Sequence, residues 1–396
     1  MNITFIGCPF QTSYGSYIRD LSAALATGGA NHIQWVAAKC GCGDAHERSR
    51  DFIDAQRKYF ELPVIGDYRS SNPWKRKIRF AVKHAFDDMR AGRFESLSES
   101  GSDVVHFQQT LAAFGSDVVF RWLKRQGASR KVVTVHELDA QQVAEPAANR
   151  AYNLAAAVLV HDRRLGQRLI ETGVDPGRVH QVRYGVRIPA TAPRPRDERR
   201  QIVFYAGHRP MSGKGLDIVF AAFARLREKL GSAAPRLVVH GHYGLDTPVA
   251  GEQLAETMGI ADAVIWRNEM PQEAMQDLYA QALVCVLPYT GSFAGLPCAL
   301  AAANGVPVIG TDVAGIPEHL GALYEQVPAG DSQELFAHML RLLEDPHAWD
   351  AMSTSLRSHA VRELGWNVIG ARTQAIYEGR VRSDFATQQE DGVIDA

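Results

Sequence analysis

The chain has 396 residues, of which 46% are hydrophobic and 22% are charged, and its formal net charge is −1. Such a composition is typical of a globular protein with two domains of ordinary size. The near-zero charge argues against a nucleic acid or another polyanion as partner. Five scattered cysteines favour free thiols in a reducing cytoplasm. The N-terminal residues predict a first strand rather than a signal peptide, and no segment has the length of a membrane span.

The first half of the chain alternates buried strands with helices. Apolar runs predict strands at 3–6, 32–38, 103–107, 131–137, 155–160 and 179–182, and helical spacing predicts helices at 16–26 and 163–171. A loop closed by Gly15 follows the first strand. The full dinucleotide-binding fingerprint is absent there, so a nicotinamide cofactor is not indicated.

A basic segment at 74–93 interrupts this alternation with seven lysines or arginines and an imperfect apolar stripe. One interpretation is a surface helix that rests on anionic lipid or on an acceptor phosphate. The other interpretation is a solvated helix with no ligand, since one basic face is stable by itself.

A proline-rich, charged stretch at 189–200 predicts an interdomain linker. Strands are then predicted at 201–207, 236–241, 262–266, 282–287 and 306–310, and helices at 298–303, 332–346, 348–362 and 366–379. The polar residues at 381–396 predict a frayed tail. Strand 282–287, its glycine loop, the next helix and strand 306–310 form a βαβ unit. Ligands bind at the carboxyl edge of such sheets, where loop amides and a helix N-terminus also favour phosphate.

The motifs of the second half resemble those of the family-4 retaining glycosyltransferases. The matching residues are Gly295, Leu296, Pro297, Ala301, Ala303, Gly305, Pro307, Val308, Ile309 and the run Gly315-Ile316-Pro317-Glu318. Arg209 and Lys214, after Gly207, match the family's G-R-x4-K-G loop. The resemblance implies an α/β protein of the GT-B type, with two Rossmann-like domains whose parallel sheets face a cleft. It implies an acceptor domain at 1–188, a linker at 189–200, a donor domain at 201–365, a helix at 366–380 that crosses back, and a tail at 381–396.

The same resemblance implies roles for particular residues. Arg209 and Lys214 would clamp the donor diphosphate, and two fixed cations there would stabilise the charge of the departing group. His136, at the end of a strand, and Ser292 would face the donor sugar, as would Gly15 from the first loop. The remaining donor-binding residues would be Gly207, Phe293, Ala294, Gly295, Leu296, Leu300 and Glu318. Ser292 and Leu300 stand where the family has glutamates that contact the sugar and the nucleotide ribose.

Two functions stay open on these residues. The first is transfer of a sugar from a nucleoside diphosphate sugar to an acceptor hydroxyl with retention of configuration, without metal or organic cofactor. The second is a catalytically degenerate binding or scaffold subunit, suggested by the loss of both glutamates. A phosphorylase is not indicated, because no lysine motif for pyridoxal phosphate is visible. The composition suggests a bacterial source. The resemblance leads us to expect a cytoplasmic enzyme of polysaccharide, glycolipid or natural-product glycosylation, with peripheral membrane contact if 74–93 meets lipid.

Overall fold

A computed structural model of the chain describes residues 1–7, 12–27, 29–38, 57–60, 101–109, 116–125, 127–138, 142–143, 145–207, 213–241, 246–268, 270–291, 295–313 and 315–386. The chain folds as two compact units. The first comprises Met1–Val182 and Gly370–Ala396, and the second is Arg183–Ile369. The basic segment at 74–93 lies outside the described residues. None of the described helices is long and apolar enough to cross a membrane.

The first unit is built on a parallel sheet of seven strands within the described residues, in the order β3-β2-β1-β4-β5-β6-β7. The strands are β1 Asn2–Gly7, β2 His32–Ala38, β3 Arg57–Phe60, β4 Val104–Gln109, β5 Arg130–Val135, β6 Ala157–Val160 and β7 Val179–Gln181. Apolar runs form the central strands because both faces of a parallel sheet are covered. In β6, for example, Val158, Leu159 and Val160 are all fully buried.

The helices of the first unit include α1 Thr12–Ala26, α2 Ser116–Leu123 and α3 Arg163–Glu171. Helix α3 begins where expected, because Asp162 accepts a hydrogen bond from the amide of Leu165 at 2.8 Å. Helix α1 begins earlier than predicted, so the expectation that Gly15 closes a loop is wrong: Gly15 lies in the first turn of the helix. A glycine costs a helix only about 1 kcal/mol relative to alanine. The buried face of Tyr17, Leu21 and Leu25 compensates for that cost.

The prediction of a frayed tail from residue 381 is wrong for its first residues. Phe385 is 3% exposed and joins the core of the first unit. The Asp384 carboxylate accepts two hydrogen bonds from Arg372, at 2.6 and 2.8 Å, and one from the amide of Gln181 at 2.8 Å. One aromatic ring and one ion pair therefore fix a segment whose composition is otherwise polar.

The second unit is built on a parallel sheet of six strands within the described residues, in the order β10-β9-β8-β11-β12-β13. The strands are β8 Gln201–Tyr205, β9 Arg236–Gly241, β10 Val264–Asn268, β11 Ala282–Leu287, β12 Val308–Gly310 and β13 Glu325–Gln326. The chain adds β9 and β10 on one side of β8 and then crosses to add β11 on the other side. The order of the sheet therefore reverses between β8 and β11.

The described helices of the second unit pack around this sheet, and the last of them runs on into the first unit. They are α4 Leu216–Leu230, α5 Asp246–Thr257, α6 Gln272–Ala280, α7 Gly295–Ala303, α8 Ile316–Leu320, α9 Ser332–Glu344, α10 Pro346–His359 and α11 Trp366–Tyr377. The division between the units falls inside α11, at Ile369 and Gly370. The residues of α11 after Ile369 therefore belong to the first unit.

The stretch at 189–200, predicted as the linker, lies within the second unit. Arg199 holds it there and is 1% exposed. The guanidinium donates to the carbonyls of Ala282 and Asn304, each at 2.9 Å, and lies 4.9 Å from the Trp349 ring centre. Neither the prolines nor the charges of the stretch predict these contacts of Arg199.

Candidate functional site

The carboxyl ends of β8 and β11 form the position in the second unit where open α/β sheets bind ligands, because the strand order reverses there. The loop after β8 carries Gly207 and Lys214 and leads into α4. The loop after β11 leads into α7. The two loops are joined, since the amide of Thr290 donates to the carbonyl of Gly213 at 3.0 Å. Residues of two separate sequence motifs thus meet at one edge of the sheet.

Lys214 sits in an aromatic enclosure at this edge. Its ammonium lies 3.8 Å from the ring centre of Tyr289 and 5.7 Å from that of Tyr205. The hydroxyl of Tyr289 donates to the carbonyl of Tyr205 at 2.6 Å, which fixes the first ring. The lysine is only 6% exposed, and its burial lowers the pKa of Lys214 to about 7. A buried cation of this kind gains most from a ligand that brings negative charge.

Two glycines allow the backbone to fold closely around Lys214. Gly207 has a φ of +60°, and a Cβ there would lie 3.2 Å from Cε of Lys214. Gly215 has a φ of +73°, and a Cβ there would lie 2.6 Å from the carbonyl oxygen of Pro288. Side chains at these positions would be strained in φ and would also displace the lysine or the β11 loop.

Helix α7 carries the matched residues Gly295, Leu296, Pro297, Ala301 and Ala303. It begins at Gly295, and all of its residues are buried, including Leu296 and Leu300 at 8% and 1% exposure. Burial raises the pKa of the Cys298 thiol on this helix, while Lys214 lowers it and Glu318 raises it, which places both charges near the helix. The Glu318 carboxylate accepts from the amide of Gly315 at 2.9 Å and so caps α8.

Four residues singled out in the sequence lie outside the described residues: Arg209, Ser292, Phe293 and Ala294. Of the other matched residues in the second unit, Gly207 lies close to Lys214, since a Cβ added there would be 3.2 Å from Cε of Lys214, and the charges of Lys214 and Glu318 both act on the pKa of Cys298. Leu300 occupies a buried apolar position. The sequence analysis missed Tyr205 and Tyr289 as site residues. Each is an aromatic residue at or just after the end of a predicted strand, and this pattern could have indicated them.

The first unit holds a buried cluster of histidines around His136. This residue follows β5 directly, is 6% exposed, and has Nδ1 2.9 Å from Nε2 of His161 and Nε2 2.9 Å from the Gln108 side chain. Burial first, and then His161 and His106, lower the pKa of His136 well below its usual range. Tyr17 packs edge-on against the His136 and His161 rings. His136 is therefore a neutral, oriented imidazole at neutral pH.

The sequence indicated His136 alone among these groups. His106 lies on β4, which pairs with β5, and His161 follows β6 on the other side. Their grouping depends on strand order and register, which the sequence does not state. The described residues contain no group of three histidines, cysteines or carboxylates placed to hold a metal ion.

Comparison with known proteins relates this geometry to a family. Residues 199–345 match the family model for "Glycosyl transferases group 1". The chain is 24% identical, over 92% of its length and 94% of the relative's, to an MMP α-(1→4)-mannosyltransferase of Mycolicibacterium hassiacum. It is also 31% identical to a D-inositol 3-phosphate glycosyltransferase of Streptomyces coelicolor. That match covers 43% of this chain and 38% of the relative.

The fold of the whole chain also has close counterparts. The structure of Anabaena HepE in complex with UDP and glucose superposes with a TM-score of 0.70 at 13% identity, over 96% of this chain and 100% of that one. The resemblance seen in the sequence and the expected α/β fold are thereby confirmed. The second unit therefore carries a match to the glycosyltransferase group 1 model at 199–345, and the chain has the fold of the GT-B glycosyltransferases.

Proposed function

We propose that this chain transfers a glycosyl group from a nucleoside diphosphate sugar to an acceptor hydroxyl with retention of anomeric configuration. The observation that carries the proposal is Lys214, a buried ammonium at the reversal point of the sheet in a glycosyltransferase group 1 domain. A buried cation at the mouth of a parallel sheet suits the diphosphate of such a donor. The relatives with curated names are glycosyltransferases, which supports the same reaction class.

In this proposal Lys214 and Arg209 hold the diphosphate and stabilise the charge that grows as the glycosidic bond breaks. The bond from the anomeric carbon to the phosphate oxygen breaks, and the acceptor oxygen bonds to the same face of that carbon. The departing phosphate takes the acceptor's proton. Ser292, Phe293, Ala294, Gly295 and Leu296 hold sugar hydroxyls and phosphate, and His136 contacts the sugar. No metal or organic cofactor takes part in this scheme.

The relatives guide the choice of substrates. One is a mannosyltransferase by name, and several act by name on D-inositol 3-phosphate. The Anabaena structure contains UDP and glucose. We therefore propose mannosyl and glucosyl nucleotides as the first donors to test, and a mannoside and an inositol phosphate as the first acceptors. A cytoplasmic bacterial pathway that builds a polysaccharide or glycolipid would supply these substrates.

The second candidate is a nucleotide-binding subunit without turnover. It is favoured by Leu300, a buried leucine where the family places a ribose-binding glutamate. Loss of one charge-assisted hydrogen bond is worth roughly 1.5–3 kcal/mol, or about ten- to a hundredfold in affinity. That weakens nucleotide binding without removing the diphosphate clamp, so we rank the enzyme first.

Nucleotide binding tests the shared part of both candidates. Thermal shifts and calorimetric titrations would compare UDP, GDP and ADP on the wild type, on Lys214→Met and on Lys229→Met. Lys229 is an exposed lysine of α4 and serves as the control. We expect one diphosphate to raise the melting temperature of the wild type and of Lys229→Met, because it binds the native state. Lys214→Met should bind at least tenfold more weakly, about the worth of one charge-assisted contact. Equal binding by all three proteins would contradict the clamp, and binding to none would contradict the proposed donor class.

A further inference from the structure

A chain of hydrogen bonds crosses the first unit through three buried histidines. We call it the histidine chain, and its members in order are Tyr377, His106, Gln108, His136, His161 and the carbonyl of Val182. His106 is fully buried, and His161 is 2% exposed. His136 is the group that the proposed function places against the donor sugar, so its role in the histidine chain rests on that function.

The hydrogen bond at the Val182 end of the histidine chain determines which atom donates in each of the following hydrogen bonds. Nδ1 of His161 lies 2.8 Å from the carbonyl oxygen of Val182. A carbonyl oxygen only accepts, so this nitrogen carries a proton. In a neutral imidazole the other nitrogen, Nε2, is then an acceptor. It lies 2.9 Å from Nδ1 of His136, which must therefore donate.

Gln108 is the neighbour of His136 on the other side of the histidine chain. If His136 is neutral and donates through Nδ1, its Nε2 bears a lone pair and needs a donor. The side-chain amide of Gln108 is the neighbour at 2.9 Å, and here its oxygen faces His136 while its nitrogen lies 3.0 Å from Nε2 of His106. Two acceptors would then face each other. Rotation of the amide by half a turn removes the conflict, since the amide nitrogen then donates to His136.

The other end of the histidine chain agrees with the rotated amide. The Gln108 oxygen then accepts from Nε2 of His106, which also lies 2.7 Å from the hydroxyl of Thr134. Nδ1 of His106 becomes an acceptor for the hydroxyl of Tyr377 at 2.5 Å. Each imidazole is neutral, and each nitrogen has a partner.

The alternative keeps the amide as it stands and places one extra proton on the pair of His136 and His161. That proton would be buried among groups whose pKa values are all lowered by burial, His106 to about 3 and His161 to about 4. The ring of Tyr17, a neutral group, also packs on both members of the pair. Burial disfavours such a charge on either ring, whereas rotation of an amide changes no charge.

We propose that His161 is a positioning residue that holds His136 as the neutral tautomer with its proton on Nδ1 and its lone pair on Nε2. On the other side of the ring, the rotated side-chain amide nitrogen of Gln108 donates a hydrogen bond to Nε2 of His136. A sugar hydroxyl that replaces the Gln108 amide would donate its proton to His136. The site is thereby specific for a hydroxyl in its donating orientation.

Nitrogen NMR of the ligand-free protein tests this tautomer without any assay of turnover. With 15N-labelled histidine at pH 7.5, His136 and His161 should each show a protonated Nδ1 and an unprotonated Nε2, and His106 the reverse. His136→Gln, His161→Gln and His106→Gln assign the signals. A His136 ring protonated at Nε2, or at both nitrogens, would overturn the proposal whether or not the chain proves to be a glycosyltransferase.

Two substitutions of His161 distinguish a role in positioning His136 from a role in packing alone. His161→Phe keeps the ring volume but removes the acceptor, whereas a glutamine at 161 can place its side-chain oxygen near the former Nε2. We expect His161→Phe to move the proton of His136 to Nε2 and to lower kcat about tenfold with KM within threefold, which is about the worth of one buried hydrogen bond. His161→Gln should keep the tautomer and restore kcat to within about threefold. An unchanged tautomer in a folded His161→Phe would assign His161 to packing alone and overturn its positioning role.

Discussion

The ammonium of Lys214 lies 3.8 Å from the ring centre of Tyr289, so a buried cation from the β8 loop rests on an aromatic face from the β11 loop. Such a contact stabilises a desolvated ammonium by about 2 kcal/mol. It does not cancel the effect of burial, because the pKa of Lys214 is still lowered to about 7. The free protein therefore holds Lys214 partly deprotonated at neutral pH, and an anionic ligand would recharge it.

Proton uptake on nucleotide binding follows from this state. A diphosphate beside Lys214 should raise the pKa of Lys214 well above 7. At pH 8 Lys214 of the unliganded protein is only about one-tenth protonated, so binding should take up about 0.9 proton there, falling to about 0.1 at pH 6. Calorimetric titrations in buffers of different ionisation enthalpy measure this number. Lys214→Met is the control, and the difference from wild type isolates the lysine; no difference at pH 8 would place the diphosphate elsewhere.

The close approach at Gly215 gives a second prediction. Gly215→Ala would combine a left-handed φ with a Cβ that lies 2.6 Å from the carbonyl of Pro288, whereas Gly231 has a similar φ of +57° and nothing within 4 Å. Gly231→Ala should therefore cost only the conformational term of about 1–2 kcal/mol. Gly215→Ala should destabilise more and should weaken nucleotide binding, because it displaces the loops around Lys214. Thermal unfolding and nucleotide titration of both variants measure these effects, and equal behaviour of the pair would show that the close approach does not constrain the site.

Buried neutral histidines predict a loss of stability in acid. Burial lowers the pKa of His106 and of His240 in the second unit to about 3, from an ordinary value of 6.5. Between these values the unfolded chain binds more protons than the folded one, so stability is complete above pH 6.5 and falls as the pH falls. At pH 5 each such histidine lowers the free energy of unfolding by about 2 kcal/mol relative to neutral pH. Melting temperatures at pH 7.5 and 5.0 should differ less in His240→Gln than in wild type. The exposed His347→Gln is the control, and an equal drop in His240→Gln would show that His240 does not contribute.

Much of this fold is predictable from local sequence signals. Strand β11 and helix α3 have the predicted bounds, 282–287 and 163–171, because an apolar run marks the first and Asp162 caps the second. The motifs of the second half likewise predicted the match of residues 199–345 to the glycosyltransferase group 1 model.

The sequence analysis did not predict the tertiary contacts. His106, His136 and His161 meet only because β4, β5 and β6 are neighbours in the sheet. Phe385 anchors a polar segment through one ring. Lys214 was predicted from its motif, but its aromatic enclosure depends on β8 lying beside β11. Pairings across a sheet decide these features, and a single sequence does not state them.

The central claim is that the chain is a retaining glycosyltransferase, and proton NMR of the reaction tests it most directly. The chain would be incubated with an α-linked nucleotide sugar that it binds and with an acceptor, while the anomeric protons are followed from the first turnover. We predict release of the nucleoside diphosphate together with a new anomeric signal whose one-bond carbon–proton coupling marks an α-linked product, for a mannosyl as for a glucosyl donor. A β-linked first product would contradict retention. If every donor that binds remains unconsumed with every acceptor, the proposed transfer is wrong and the nucleotide-binding subunit takes its place.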